Sequence, residues 1–407
     1  MAAPGSPPLL PVADALSAIL DSVRPLAAES VPLHQAHDRV LARDIKAGRD
    51  QPPFDASAMD GYAVRSEDIA CSGTRLKVIG MSKAGKRFSR IVRAGETVRI
   101  FTGAPLPGGT DAVLVQENAE DSAENEIVAR EPVRSGLHVR RRGLDFAKNE
   151  LLLGGNRRLN ARDLGIAASL NRASLPVRVR PTVAIAATGD ELVRPGTRPG
   201  IDQIVSSNTF ALAAAVSRFG GKPVDLGVLP DRVAAIKSAV RRCAGADVLV
   251  LTGGASVGDH DLVRRSLAEA GIRLAFWKIA MRPGKPLMFA RRGRQRILGL
   301  PGNPVSALVC ARIFLKPLIA AMLGLPNVDE TLTARLGASM KENDQRQEYA
   351  RGTLERARDG TLVATPFPTQ DSSMLKLLQR ADCLIVRPPF APAAAAGAQV
   401  EIVPLDI

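Results

Sequence analysis

The stretch DVLVLTGGASVGDHDLV, residues 247–263, decides the fold. Its apolar run Val248–Leu251 stops at Thr252. A short unbroken apolar run bounded by turn residues is the pattern of a strand buried on both faces. Gly253, Gly254, the small residues around Ser256, and Gly258 follow, then Asp259, His260 and Asp261. Beyond them, DLVRRSLAEAG has helical spacing. The segment therefore reads as strand, loop, helix. The loop by itself allows three readings: a plain turn, a phosphate cradle, or a metal-holding loop.

The same unit recurs on either side. TVAIAAT is a strand and SNTFALAAAVSRFGG a helix ending on glycines. PVDLGVL is a strand, DRVAAIKSAVRRCAG a helix, IRLAFWKIA and QRILGL strands, and PVSALVCARIFLKPLIAAML a long helix. Strands alternating with helices predict a doubly wound, mostly parallel α/β sheet with helices on both faces. Ligands bind such sheets outside the carboxyl ends of the strands. The loops ATGDEL, TGGASVGDHD and LGLPGNPVS all follow strands, and SSNT opens a helix.

Elsewhere the pattern changes. Residues 12–30 read as a helix, with a strand entering near Val40 to Ile45. Between about 51 and 145, short alternating runs lie among Gly and Pro clusters and read as an all-β module. ARDLGIAASL is helical again, with Asn160 as N-cap. After residue 328, the runs YARGTLERA, TLVATPF, DCLIVRP and QVEIV predict a small β-barrel-like domain. The expected division is 1–50 with 146–180, an inserted β-rich domain 51–145, an α/β domain 181–328 and a β domain 329–407.

Composition bounds the function. Lys and Arg number 55 against 41 Asp and Glu, a net charge of +14 that favours anionic partners. The 11 Phe, 2 Tyr and 1 Trp are too few for the base-stacking platforms of single-strand binders, so small anions are favoured over nucleic acid. There is no run of 18 apolar residues, which argues against a membrane span, and no secretory signal pattern. Four scattered cysteines make no zinc spacing. They are expected as buried free thiols in a reducing, cytoplasmic setting.

The candidate site residues have two kinds of charge. Helix starts such as Ser206, Ser207 and Asn208, with Pro304 in a first turn, favour anions through free N–H groups. Asp190, Glu191, Asp259 and Asp261 on the same rim would repel a phosphate unless a cation sits between, which points to Mg²⁺. Asp261 also reads as a plain helix cap, and His260 as an exposed side chain. Lys278, Arg282 and Lys285 in FWKIAMRPGKP read either as a small-oxyanion clamp or as a solvated hairpin. Asp60–Gly61 in PPFDASAMDGYAV reads alone as a turn. GMSKAGKR, residues 80–87, mimics a P-loop but has Arg87 where Ser or Thr is needed, and reads as a β-turn.

As a set, FDASAMDGYAV, VRIFTGAPLPGGTDAVLVQE, VRRRGLDF, ATGDEL, SSNT, TGGASVGDHD, WKIAMRPGKP and LGLPGNPVSAL resemble, in order and spacing, the molybdopterin molybdenumtransferase family. These are MoeA-type proteins related to the gephyrin E domain. The resemblance spans nearly the whole chain. It implies cytoplasmic, four-domain homodimers that take adenylylated molybdopterin and molybdate. With Mg²⁺ they cleave the adenylate, release AMP and deliver molybdenum cofactor, alongside other proteins of cofactor biosynthesis. No nucleic acid or membrane partner is implied.

Carried over by motif, the resemblance implies catalytic roles for Asp60, Thr102, Asp145, Glu191, Asp231 and Asp261, with Glu191 and Asp261 at the metal. Substrate contacts are implied for Arg140, Ser207, Asn208, Gly253, Gly254, Ser256, Gly258, Lys278, Arg282, Lys285, Pro301, Gly302, Asn303, Pro304, Arg351 and Ser372. It further implies that Asp60, Thr102 and Asp145 act across the dimer. Two departures stand out. Arg282 occupies a position where many members have Lys, exchanging a compact ammonium for a planar fork. GDHD replaces the commoner acidic forms of that loop. The rival readings are a nucleotide-processing enzyme on the same α/β domain, a peptide-binding scaffold, and a nucleic-acid binder. The segments 51–145 and 329–407 argue against the first.

Overall fold

The computed structural model describes residues 9–253, 262–326 and 330–407. They form two compact units. One comprises the chain up to Ala42, Asn156–Asn160 and Ser174–Ile407; the other comprises Arg43–Gly155 and Ala161–Ala173.

The core of the first unit is a six-stranded sheet in the order Lys222–Leu229, Thr182–Thr188, Val248–Thr252, Gln295–Leu300, Met288–Arg292, Leu274–Phe276. The first four strands are parallel, and the last two pair antiparallel. Strand alternation explains its layers, since successive side chains point to opposite faces. Val183, Ile185, Val248, Val250, Leu298 and Leu300 face one core, with helices Val12–Leu20, Asn208–Phe219 and Pro304–Cys310. Ala184, Ala186, Leu249, Leu251 and Ile297 face the other, with helices Val233–Arg242 and Leu262–Glu269. The predicted doubly wound α/β domain is present.

Helix ends follow local chemistry. Asn208–Phe219 stops at Gly220, whose φ of +99° lets its N–H and that of Gly221 turn back onto the last carbonyls. The 19-residue helical stretch Pro304–Met322 has a mean hydropathy of 1.8 and is mostly buried as a core element. It widens into a π-turn at Ala311–Leu315, which ends two residues before Pro317, a residue with no N–H to donate.

Some local expectations shift. The N-terminal helix ends at Leu20, not residue 30, because Ser22 takes a left-handed φ of 54° and Pro25 follows. The rest becomes the strand Ala28–Pro32, paired antiparallel with Ser174–Arg178. IRLAFWKIA contributes only Leu274–Phe276 as a strand. Cys243, Cys310 and Cys383 are buried, but Cys71 is exposed.

The C-terminal strands Leu332–Leu336, Gln347–Arg356, Leu362–Pro366, Cys383–Arg387 and Gln399–Pro404 close on themselves as a five-stranded barrel. Met281–Arg282 adds to it in parallel beside Gln347 and Glu348. The second unit carries a six-stranded sheet ordered Ala112–Val115, Gly61–Val64, Glu96–Ile100, Arg75–Ser82, Glu126–Ala129, Ala119–Ala123. The P-loop mimic lies there as a strand end and a tight Lys83–Lys86 turn, as its β context predicts.

Candidate functional site

Strand order places the site. In the central sheet the chain runs from Thr182–Thr188 outward to Lys222–Leu229, then back across to Val248–Thr252. The connections therefore diverge at the carboxyl ends of Thr182–Thr188 and Val248–Thr252, the place where such sheets open a crevice. Gln295–Leu300 ends beside them.

Three loops meet there at backbone contact. Gly253 adopts φ +92°, and a Cβ on it would lie 2.3 Å from the Thr188 carbonyl oxygen. A Cβ on Gly302 would lie 3.4 Å from the Gly253 Cα. Only glycine allows this approach at residue 253. Gly254, Ser256, Gly258, Asp259, His260 and Asp261 lie outside the described residues, so the remainder of the opening loop is not placed.

The helix start at Asn208 does not work as expected. Ser207 makes no side-chain cap bond, and the Ser206 hydroxyl is buried without a partner among the described residues. Asn208 Nδ2 instead donates to Thr252 Oγ1 at 3.1 Å and to the Gly302 carbonyl at 2.7 Å. Thr252 Oγ1 donates in turn to the Pro301 carbonyl at 2.9 Å. Thr252 marks the end of the apolar run in the sequence but is not among the candidate site residues there. Its signal was a polar residue closing an otherwise apolar strand. Pro304 occupies the first turn of its helix, as predicted.

Acidic groups gather on one side of the rim. The Asp231 amide donates to Asp190 Oδ1 at 3.1 Å, which draws that pair together. The Glu191 carboxylate folds back over Gly189. Burial, then the charges of Asp190 and Glu191, push the Asp231 carboxyl above its ordinary pKa. Asp231 Oδ1 is buried without a hydrogen-bond partner among the described residues. No three His, Cys, Asp or Glu side chains among the described residues converge closely enough to hold a metal by themselves.

The barrel carries a buried cation. Arg351 is 1% exposed. Its Nε and backbone N–H both donate to Gln370 Oε1, at 3.2 and 2.9 Å. Its two Nη atoms have no partner among the described residues. Two residues along the same loop, the Ser372 carbonyl accepts from the Val305 amide, and Ser372 Oγ accepts from Asn303 Nδ2 at 2.7 Å. Arg351, Ser372 and Asn303 are thus brought together.

The three cations of WKIAMRPGKP do not form one cluster of free charges. Lys278 Nζ sits 3.8 Å from the Trp277 ring centroid. Arg282 pairs with Glu348 at 2.8 Å and Asp344 at 3.5 Å, and donates to Asn343. Arg346 holds that same Asp344 at a pKa of about 2, so the Arg282 charge faces a carboxylate that stays ionised at neutral pH. Lys285 lines a cavity of about 490 Å³ with Leu9, Asp344, Gln345, Arg346 and Phe390. The segment is no solvated hairpin, since its middle is the barrel's added strand.

In the second unit, Asp60 accepts from the backbone N–H and the hydroxyl of Thr102, at 2.8 and 2.9 Å. These bonds, aided by Arg99, hold its carboxyl below the ordinary range. Asp60–Gly61 is not a hairpin turn, since Gly61 opens a strand. Arg140 sits on the short strand Val139–Arg140 and is exposed, as is Asp145, whose amide donates to Gln51 O. Asp55, between them, accepts from Arg141 and from the Arg142 amide.

The chain is similar to known proteins along its length. The model for the MoeA N-terminal region (domain I and II) matches residues 10–171. That for a probable molybdopterin binding domain matches 184–321, and that for the MoeA C-terminal region (domain IV) matches 333–405. The molybdopterin molybdenumtransferase of Haemophilus influenzae is 34% identical over 385 residues, covering 94% of this chain and 95% of that protein. Molybdopterin molybdenumtransferase 2 of Mycobacterium tuberculosis is 35% identical over 384 residues, 92% of this chain and 94% of that one. The crystal structure of the molybdopterin biosynthesis MoeA protein from Pyrococcus horikoshii OT3 superposes with a TM-score of 0.81 at 29% identity, covering 97% of this chain and 99% of that one.

Proposed function

Because this chain belongs to the molybdopterin molybdenumtransferase (MoeA) family of molybdenum cofactor biosynthesis, we propose that it inserts molybdenum from molybdate into adenylylated molybdopterin. In this reading it releases AMP in a Mg²⁺-dependent cleavage, as a cytoplasmic homodimer. The observation that carries the finer reading is the placement of charge around the strand ends. Asp190, Glu191 and Asp231 crowd together after the strand ends, and Ser372, two residues from the Gln370 that holds the buried Arg351, is bonded to Asn303 of the last strand-end loop.

The acidic side fits a divalent cation. Burial and the charges of Asp190 and Glu191 raise the Asp231 pKa despite Thr188 beside it, and that repulsion is what a cation relieves. Mg²⁺ takes one or two carboxylates and completes its shell with phosphate oxygens and water, so three converging side chains are not required. Glu191 and Asp261 would hold it, and it would neutralise the phosphoanhydride oxygens as the adenylate leaves. Asp231 and Asp190 then bias the site toward the cation and against unmetallated phosphate. The Arg351 Nη groups are donors with no acceptor among the described residues, suited to a small oxyanion such as molybdate, the substrate. Ser372 and Asn303 hold the Gln370 loop against the helix start.

The test is AMP release from adenylylated molybdopterin by the purified full chain, with and without molybdate and Mg²⁺. Release that requires both is expected. Binding of the adenylylated pterin without release under any of these conditions would overturn the reading and leave a scaffold.

A further inference from the structure

The pair formed by Asn208 and Thr252 reaches beyond the helix-capping expectation. Asn208 has two N–H groups on Nδ2, and both are spent inside the protein, on Thr252 Oγ1 and on the Gly302 carbonyl. Gly302 O can only accept, so the carboxamide cannot be flipped without setting two oxygens 2.7 Å apart. What remains of the Asn208 side chain is an acceptor, and an acceptor does not bind phosphate. Thr252 is 1% exposed. Its hydroxyl gives its one proton to Pro301 O and accepts from Asn208, so it too has no proton left for a substrate.

These three bonds tie the first residue of one helix to the end of the strand Val248–Thr252 and to the loop before Pro304. They do so where Gly253 and Gly302 already touch at backbone distance. Backbone contact alone lets the loops slide along one another. The directional bonds of a buried side chain remove that freedom.

We propose that Thr252 and Asn208 are positioning residues. Their hydrogen-bonded pair sets the spacing between Gly253 and the Pro301–Pro304 loop, beside which the pterin phosphate is bound, and neither side chain donates to the substrate. This rests on the transferase reading above.

The experiment uses the full chain with Thr252→Val, which keeps shape and removes the hydroxyl, Thr252→Ser, which keeps the hydroxyl, Asn208→Leu, which removes both donors without adding charge, and the Thr252→Val/Asn208→Leu pair. Two quantities are measured. The first is the Kd for adenylylated molybdopterin by calorimetry without molybdate, and the second is KM and kcat for AMP release with it. Thr252→Val is expected to raise Kd and KM by roughly tenfold, the effect of losing about one buried hydrogen bond, with a smaller change in kcat. Thr252→Ser should restore wild-type values. Because both residues act through one brace, the double variant should lose little more than the worse single one. Wild-type Kd in Thr252→Val, failure of Thr252→Ser to rescue, or additive losses in the double variant would each overturn the proposal. If the wild-type chain binds the pterin but releases no AMP, the transferase reading falls, and the Kd series still decides the brace. If it does not bind the pterin, both fall.

Discussion

Asn303 donates from Nδ2 to the Ser372 hydroxyl at 2.7 Å, joining residues 69 apart in the chain. This bond holds the barrel loop of Gln370 and Ser372 against the first turn of the helix that begins at Pro304. Both side chains are solvent-exposed at the bond. Replacing Ser372 by Ala should therefore cost at most about 1 kcal/mol of stability, because water replaces the lost partner. Its effect should appear instead as a several-fold rise in KM for molybdate. Thermal unfolding alongside a molybdate titration checks this; a large drop in Tm with unchanged KM would contradict it.

Arg351 carries a buried charge that the protein does not fully match. A buried charge without adequate partners carries an uncompensated desolvation cost, which an apolar side chain of similar length does not. Arg351→Met should therefore leave the chain as stable as wild type or more so in urea unfolding, while molybdate-dependent AMP release falls steeply. A strongly destabilised Met variant would mean that Gln370 is already an adequate partner.

Asp231 makes stability depend on pH. Its folded pKa lies above the unfolded reference of 3.8, raised by burial and by Asp190 and Glu191. Its contribution is thus fully present below that reference and is lost as pH rises through the folded value. At neutral pH the charged carboxylate destabilises the fold. Asp231→Asn should be more stable than wild type at pH 7, and the difference should vanish below about pH 4. Mg²⁺ should raise the wild-type Tm at pH 7 and raise that of the Asn variant less. Equal shifts in the two proteins would remove Asp231 from the cation's surroundings.

The C-terminal end is clamped by charge. Arg312, with a 6% exposed side chain, pairs with Glu330 and Asp406, and Lys316 pairs with the same two carboxylates at 2.7 Å. The carboxylates are about two-fifths exposed, so screening moderates the effect. Asp406→Asn should cost roughly 1–2 kcal/mol, less than the loss of a fully buried partner. Urea unfolding with activity measured in parallel tests it. The expected result is lower stability at unchanged kcat, and an unchanged urea midpoint would remove the clamp.

Much of the central domain was legible because its signals are local. The run Val248–Leu251, like TVAIAAT before it, is apolar at every position because the sheet is covered on both faces, and the alternation assigns each residue to its core. Pro304 at a helix start and Gly220 at a helix end act within a few residues of themselves. The helix that spacing predicts over residues 12–30 is too long for the same reason. Its apolar spacing continues past Leu20, and only the left-handed Ser22 and Pro25 stop it.

The amino-acid sequence by itself thus determined the strand and helix succession, the sheet covered on both faces, and the rim where the loops emerge. Steric preference and hydrophobic periodicity operate over a few residues, so they are written along the chain. The tertiary structure alone decided how the polar side chains of that rim are spent. Asn208 reaches Thr252, 44 residues away, and Gly302, 94 away. Arg282 is neutralised by Asp344 and Glu348 of the barrel, and Arg351 is buried with donors to spare. A hydrogen bond needs its partners within about 3 Å, and which distant residues meet that condition is settled only when the packed elements bring their ends together.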